Sequence, residues 1–160
     1  MHNITVICVG KLKEKYLKDA IAEYEKRLTS FCRFSVIEVD EEKLPDNYSD
    51  SNIKAVIEKE GTKIATKIPN GAYVVSLCIE GKQFSSVEFS DIIRSSAVNG
   101  YSNVVFIIGG SYGLADEIKK QSNIKLSFSK MTFPHQLFRV MLIEQIYRSF
   151  QIINGGKYHK

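Results

Sequence analysis

NVVFIIGGSYGL, residues 103–114, is the stretch whose reading decides the fold. An apolar run of strand length stops on Gly109 and Gly110, and SYGLADEIKKQS (111–122) then starts a helix. The rest of the chain alternates in the same way. ITVICV (4–9) and FSVIEV (34–39) are β-branched runs of strand length. Between them, KEKYLKDAIAEYEKRL sets Leu17, Ile21, Tyr24 and Leu28 at helical spacing. A polar loop with Pro45 leads into residues 49–68, where Ser49 or Asp50 can cap a helix striped by Ile53, Val56, Ile57, Ile64 and Ile68. Pro69-Asn70-Gly71 closes it. AYVVSLCI (72–79) is nearly continuous in apolar residues, as a strand covered on both faces should be. SSVEFSDIIRSSAV (85–98) reads as helix, IKLSFSK (124–130) as a fifth strand and Pro134 to Asn154 as a last helix. Strands alternating with helices predict an α/β fold with a mostly parallel sheet covered by helices on both faces.

No internal repeat, low-complexity stretch or linker divides residues 1–160, so one domain is expected. Folding a chain of this size buries about 70% of its extended surface, enough for a core without staples. Cys8 and Cys78 sit in apolar runs and Cys32 lies far from both, so buried thiols are expected rather than a disulfide frame or a metal site. The chain opens directly on a strand-like segment, without the order of a signal peptide, and no apolar run approaches the ~20 residues of a membrane span. A soluble cytoplasmic protein with no membrane or metal partner is the expectation. The formal charge of +4 is a mild basic excess. Lys11, Lys13, Lys15 and Lys18 crowd the turn after the first strand, and Lys119, Lys120, Lys125 and Lys130 precede the last helix. Both groups read either as solvated helix faces or as a polyanion footprint.

Parallel α/β sheets bind ligands beyond the carboxyl ends of their strands. Three loops fall there. Gly109–Leu114 lets backbone approach a ligand closely, although no Gly-Lys-Ser/Thr follows for a phosphate loop and Ser129 stands where a dinucleotide site needs an acid. A tight structural turn and a ligand loop both remain open. Phe128–Phe133 enters the last helix at Pro134, with Thr132 a possible cap and His135 in the first turn, where a histidine mostly bonds locally. Leu77–Lys82 leaves the third strand with another glycine.

The last helix is apolar nearly all round: Leu137, Met141, Ile143, Ile146, Phe150 and Ile153 cannot share one stripe. Burial on two sides predicts either a central position in the monomer or a second copy packed across a two-fold axis, and the homodimer is the expectation. Glu144 and Arg148, four apart, can pair. After Gly155-Gly156 come Lys157, Tyr158, His159 and Lys160, which read as a reactive or ligand-touching tail.

VVFIIGGSYGL, LSFSKMTFPHQLFRVMLIEQIYRSFQI, the terminal KYHK and the opening VGKLKEKY together resemble the ribosomal large-subunit RNA methyltransferase H family, of the SPOUT superfamily of knotted methyltransferases, over essentially the whole chain. The resemblance implies an S-adenosyl-L-methionine-dependent enzyme that methylates N3 of a pseudouridine in 23S rRNA, acting as a homodimer on the assembled ribosome. It also implies a C-terminal trefoil knot, which periodicity cannot show. Carried over by position, its cofactor site falls on Leu77, on Gly109 and on Phe128, Ser129, Lys130, Met131, Thr132 and Phe133. Arg148, Tyr158 and His159 match its substrate-binding or catalytic residues. Lys160 departs from relatives that carry arginine there, which keeps the charge and loses a two-pronged contact.

Methyl transfer is an in-line displacement that needs nitrogen, methyl and sulfur held collinear and the nitrogen's proton removed. His159 is the natural base, with RNA positioning as its other reading. Tyr158 then orients or stacks on the acceptor. Two rival functions stay open: a noncatalytic ribosome-assembly or RNA-binding module, and a small-molecule nucleotide-binding α/β enzyme.

Overall fold

The computed structural model describes residues Met1–Lys160. Five strands alternate with five helices: β1 (Asn3–Val9), α1 (Lys15–Leu28), β2 (Arg33–Val39), α2 (Asp50–Ala65), β3 (Tyr73–Gln83), α3 (Ser86–Val98), β4 (Asn103–Ile108), α4 (Asp116–Gln121), β5 (Ile124–Ser127) and α5 (His135–Ile153). All pairings are parallel, in the order β2-β1-β4-β3-β5. The predicted class is therefore the observed one. No helix is long and apolar enough to cross a membrane.

Residue parity along each strand divides the core in two. Ile4, Val6 and Cys8 of β1, with Val104, Phe106 and Ile108 of β4, face α1, α3 and α5. Ile7 and Val9, with Val105 and Ile107, face α2 and α4. Burial on both faces explains why these strands lack the polar alternation of a half-exposed sheet. At about 25 cal/mol per Å² of apolar surface, each fully buried Ile or Phe adds roughly 1.5–3 kcal/mol toward offsetting chain entropy.

Local chemistry sets the helix starts. Ser85 Oγ accepts from Glu88 N at 3.1 Å while Ser85 N donates to the Glu88 carboxylate at 2.7 Å, a reciprocal cap for α3. Ser49 caps α2, its amide donating to Asn52 Oδ1 at 2.9 Å. Thr132 caps nothing: α5 starts after an extended Pro134, whose missing N–H would have had no intrahelical partner, with His135 as its first residue.

β3 runs four residues past its expected end, and β5 stops three residues early. Leu126 pairs with Leu77 and again with Lys82 across a shift of register in β3, and Gly81 allows the approach: a Cβ there would sit 2.7 Å from the Leu126 backbone.

α5 packs between α1 and α3. Ile143, Ile146 and Phe150 are buried in the monomer, together with Leu142. Met141 and Ile153 are half-buried and Leu137 stays exposed. Most of the all-round apolarity is thus answered within one chain, because α5 touches two helices as well as the sheet.

Candidate active site

The strand order places β4, β3 and β5 side by side, so the loops beyond their carboxyl ends meet. They enclose a cavity of about 420 Å³, within the range of small-molecule sites. Leu77, Gly109, Phe128, Ser129, Met131, Thr132 and Phe133 all line it. Lys130 does not; it points outward from the same loop and is exposed.

Each wall has its own cause. In the β4 loop, Gly113 N donates to Gly110 O at 3.1 Å and Gly113 adopts φ +92°, a left-handed turn that a side chain would strain. A Cβ on Gly109 would lie 2.8 Å from the Gly113 backbone, so the turn folds back tightly on its own start. In the β5 loop, Ser127 Oγ donates to Ser129 O at 3.0 Å and Ser129 Oγ accepts from Met131 N at 3.0 Å. These bonds bend the chain before α5. Phe138 of α5 anchors that bend, with Phe128 edge-on at 4.8 Å and Phe133 stacked at 6.3 Å between ring centroids. Lys119 bonds Glu80 at the rim and holds that carboxyl below its usual range. Cys78 lines the cavity and is only half-buried, so the expectation of a buried thiol fails there; Cys8 and Cys32 are buried, and burial pushes both thiols up to about 12.

Behind the glycine turn stands Glu60 of α2, 4% exposed. Its Oε1 lies 2.9 Å from where a Cβ of residue 110 would be, and its Oε2 accepts from Glu42 N at 3.0 Å. Burial pushes its carboxyl up. The sequence reading missed Glu60. The available signal was position: 56, 60 and 64 fall on one helical stripe, and a carboxylate stands between Val56 and Ile64.

The tail residues gather elsewhere. Arg148 donates to Glu144 Oε1 at 2.7 and 3.0 Å, the Tyr158 hydroxyl donates to the same oxygen at 3.0 Å, and Arg148 Nη1 donates to His159 Nδ1 at 3.2 Å. The guanidinium carbon lies 4.7 Å from the Tyr158 ring centre. Burial, then the bond to Glu144, pushes the Tyr158 phenol up to about 12. Arginine only donates, so His159 Nδ1 is the acceptor and Nε2 carries the ring proton. None of these four residues lines the three-loop cavity. Glu144 instead borders a second cavity of about 450 Å³, which shares the Leu126–Phe128 wall. Within one chain, the structure brings the three loops together and leaves the tail outside them.

The arrangement offers close backbone approach, an apolar wall and few charges, which suits a small, mostly neutral ligand held by main-chain groups. The tight Gly109–Gly113 turn borders the cavity with bare backbone, which leaves room for a nucleoside-sized ligand to approach main-chain groups. The family model described as "Predicted SPOUT methyltransferase" matches residues 2–159. Proteins named "Ribosomal RNA large subunit methyltransferase H" from Clostridium acetobutylicum and Leuconostoc mesenteroides are 56% and 54% identical over 158 residues, covering 99% of each chain. A solved structure of a probable methylase family protein from Haemophilus influenzae Rd KW20 superposes with a TM-score of 0.56 at 12% identity, over 99% of this chain and 71% of that one, a likeness of fold. With its parallel sheet, its three-loop cavity and a family match from end to end, the chain belongs to the SPOUT methyltransferases.

Proposed function

We propose that this enzyme transfers a methyl group from S-adenosyl-L-methionine to N3 of a pseudouridine in 23S rRNA on the assembled ribosome, as a cytoplasmic homodimer. The observation that carries the reading is the convergence of Leu77, Gly109, Phe128, Ser129, Met131, Thr132 and Phe133 on one cavity, all but Lys130 of the positions to which the family resemblance assigns the cofactor. The rRNA substrate is supported by the names of the full-length relatives.

When bound, the donor supplies an electrophilic methyl on a sulfonium. The chain's residues do the positioning. Main-chain groups of the Gly109–Gly113 turn and the Ser127–Phe133 bend hold the nucleoside without an acidic ribose ligand, and Leu77 with Phe138 keeps water from one wall. Arg148 and Tyr158 orient the acceptor base. His159 has its Nδ1 lone pair occupied by Arg148, so in this arrangement it holds RNA; taking the N3 proton requires Arg148 to let go.

The tail of one subunit serves the cavity of the other. Its position across the Leu126–Phe128 wall from its own cavity favours this, as do exposed Leu137 and half-buried Met141, left on α5 for a partner helix.

Calorimetry with S-adenosyl-L-methionine, followed by mass mapping of rRNA fragments, tests the reading. Donor binding and a one-methyl shift that needs active protein are the expected results. Preference for NAD or ATP would turn it toward the nucleotide-binding alternative, and ribosome binding without transfer toward an assembly module.

A further inference from the structure

The lysine-rich turn after β1 is built more firmly than a solvated loop requires. Arg139 of α5 is 2% exposed, and its Nη2 donates to Gly10 O at 3.2 Å. Its Nη1 pairs with the Glu38 carboxylate at 2.6 Å, and the same Glu38 oxygen accepts from Leu12 N at 2.7 Å. Gln136 Oε1 accepts from Lys13 N at 2.9 Å. Arg139 Nε is left buried without a partner. A buried guanidinium is costly, and an orphaned donor on it more so, yet here it holds backbone in a turn whose side chains face water.

Every tether grips main chain. Lys11 and Lys13 are exposed and join no ion pair, whereas Lys15 pairs with Asp19 at 2.9 Å. Glu38, packed beneath the turn, is already neutralised by Arg139, and the one acid within the turn, exposed Glu14, stands among Lys11, Lys13 and Lys15. Tyr16 beside them is 68% exposed and offers an aromatic face. The turn adjoins the methyl-donor cavity on two sides. Gln136, which holds Lys13, follows the cavity residue His135, and Val9, which precedes Gly10, lies 3.1 Å from where a Cβ of Gly110 would stand.

We propose that the pinned Gly10–Tyr16 turn is a docking surface for RNA phosphate backbone, with Lys11 and Lys13 as the phosphate contacts, beside the donor cavity. Fixed lysines beside the reacting centre set the register of a structured RNA without reading its sequence, as backbone contacts generally do. This deepens the rRNA reading and rests on it.

The test uses the full-length protein and ribosomes whose 23S rRNA is unmethylated. Lys11→Glu/Lys13→Glu is compared with Lys26→Glu/Lys67→Glu, which makes the same change in formal charge, from +4 to 0, at exposed lysines near the amino ends of the strands. Co-sedimentation with ribosomes, calorimetry with S-adenosyl-L-methionine and methylation kinetics are measured on all three proteins. The expected result for Lys11→Glu/Lys13→Glu is binding weakened by about tenfold or more and a salt slope shallower by about two, one per lost phosphate contact. Donor affinity stays unchanged, and the control pair behaves like wild type. Equal co-sedimentation by the two double variants, or no ribosome binding by wild type, overturns the docking surface. Wild type that co-sediments but binds no S-adenosyl-L-methionine sinks the methyltransferase reading while leaving the docking comparison readable.

Discussion

Glu144 accepts a hydrogen bond from the Tyr158 hydroxyl at 3.0 Å, joining α5 to the tail fourteen residues further along the chain. The same carboxylate oxygen takes two bonds from Arg148, so one acid positions both groups assigned to the acceptor base.

Removing Tyr158 to Lys160 should abolish turnover while leaving donor affinity within about twofold of wild type, since no tail residue lines the cavity. Calorimetry alongside a methylation assay checks this. Undiminished transfer by the shortened protein would refute the role given to the tail.

The Tyr158 phenol offers a pH handle. Its folded value, about 12, lies above the ordinary tyrosine value, so its neutral form favours the docked tail. That contribution is complete below about pH 10 and disappears as pH rises toward 12. Ultraviolet titration of wild type against Tyr158→Phe should show one phenol ionising late. A Tyr158 titrating with the exposed tyrosines would contradict the docked geometry.

At the glycine turn, Gly109→Ala puts a methyl 2.8 Å from the Gly113 backbone, which cannot yield like a flexible side chain. The turn must shift, at about 1–3 kcal/mol. Donor affinity should drop by about tenfold or more, since each 1.4 kcal/mol lost from binding is a factor of ten. Urea unfolding and calorimetry on the same preparation separate the two effects. Full affinity in a folded Gly109→Ala protein would remove this loop from the site.

Glu60 gives a second dependence on pH. Burial raises its carboxyl in the folded state, so the protonated form contributes stability below about pH 4, and that contribution is lost as pH climbs through the raised value. Glu60→Gln cannot ionise. It should melt with wild type in acid and above it near neutrality, the gap opening with rising pH. A gap that closes instead would mean that the charged carboxylate is the favoured form.

Mixing a tail-deleted subunit with a Gly109→Ala subunit distinguishes a shared site from a closed one. At donor concentrations well below the Gly109→Ala dissociation constant, both parents are expected to be nearly silent, and activity should rise well above their sum once subunits exchange. A mixture as silent as its parts would confine the site to a single chain.

Period and chemistry along the chain made much of this legible in advance. All ten elements could be read because apolar runs of strand length and residues at helical spacing are local properties of Ile4–Val9, Leu17–Leu28 and their counterparts. The glycine and SKMT loops stood out for a similar reason, since their residue types serve turns and close backbone approach. The reading erred where long-range contact overrode local preference. β3 extends to Gln83 because Leu126 pairs with Lys82 as well as with Leu77, across a shift of register that no local pattern announces.

Sequence alone, then, determined the element types, their alternation and three candidate loops, because backbone preference and side-chain polarity act between near neighbours. Only the tertiary structure decided that β4, β3 and β5 adjoin, that Lys130 faces away from the cavity, that Glu60 backs the turn and that the tail docks on α5. Those relations join residues dozens of positions apart. They follow from burying two apolar faces of one sheet at once, a constraint that no short window of residues contains.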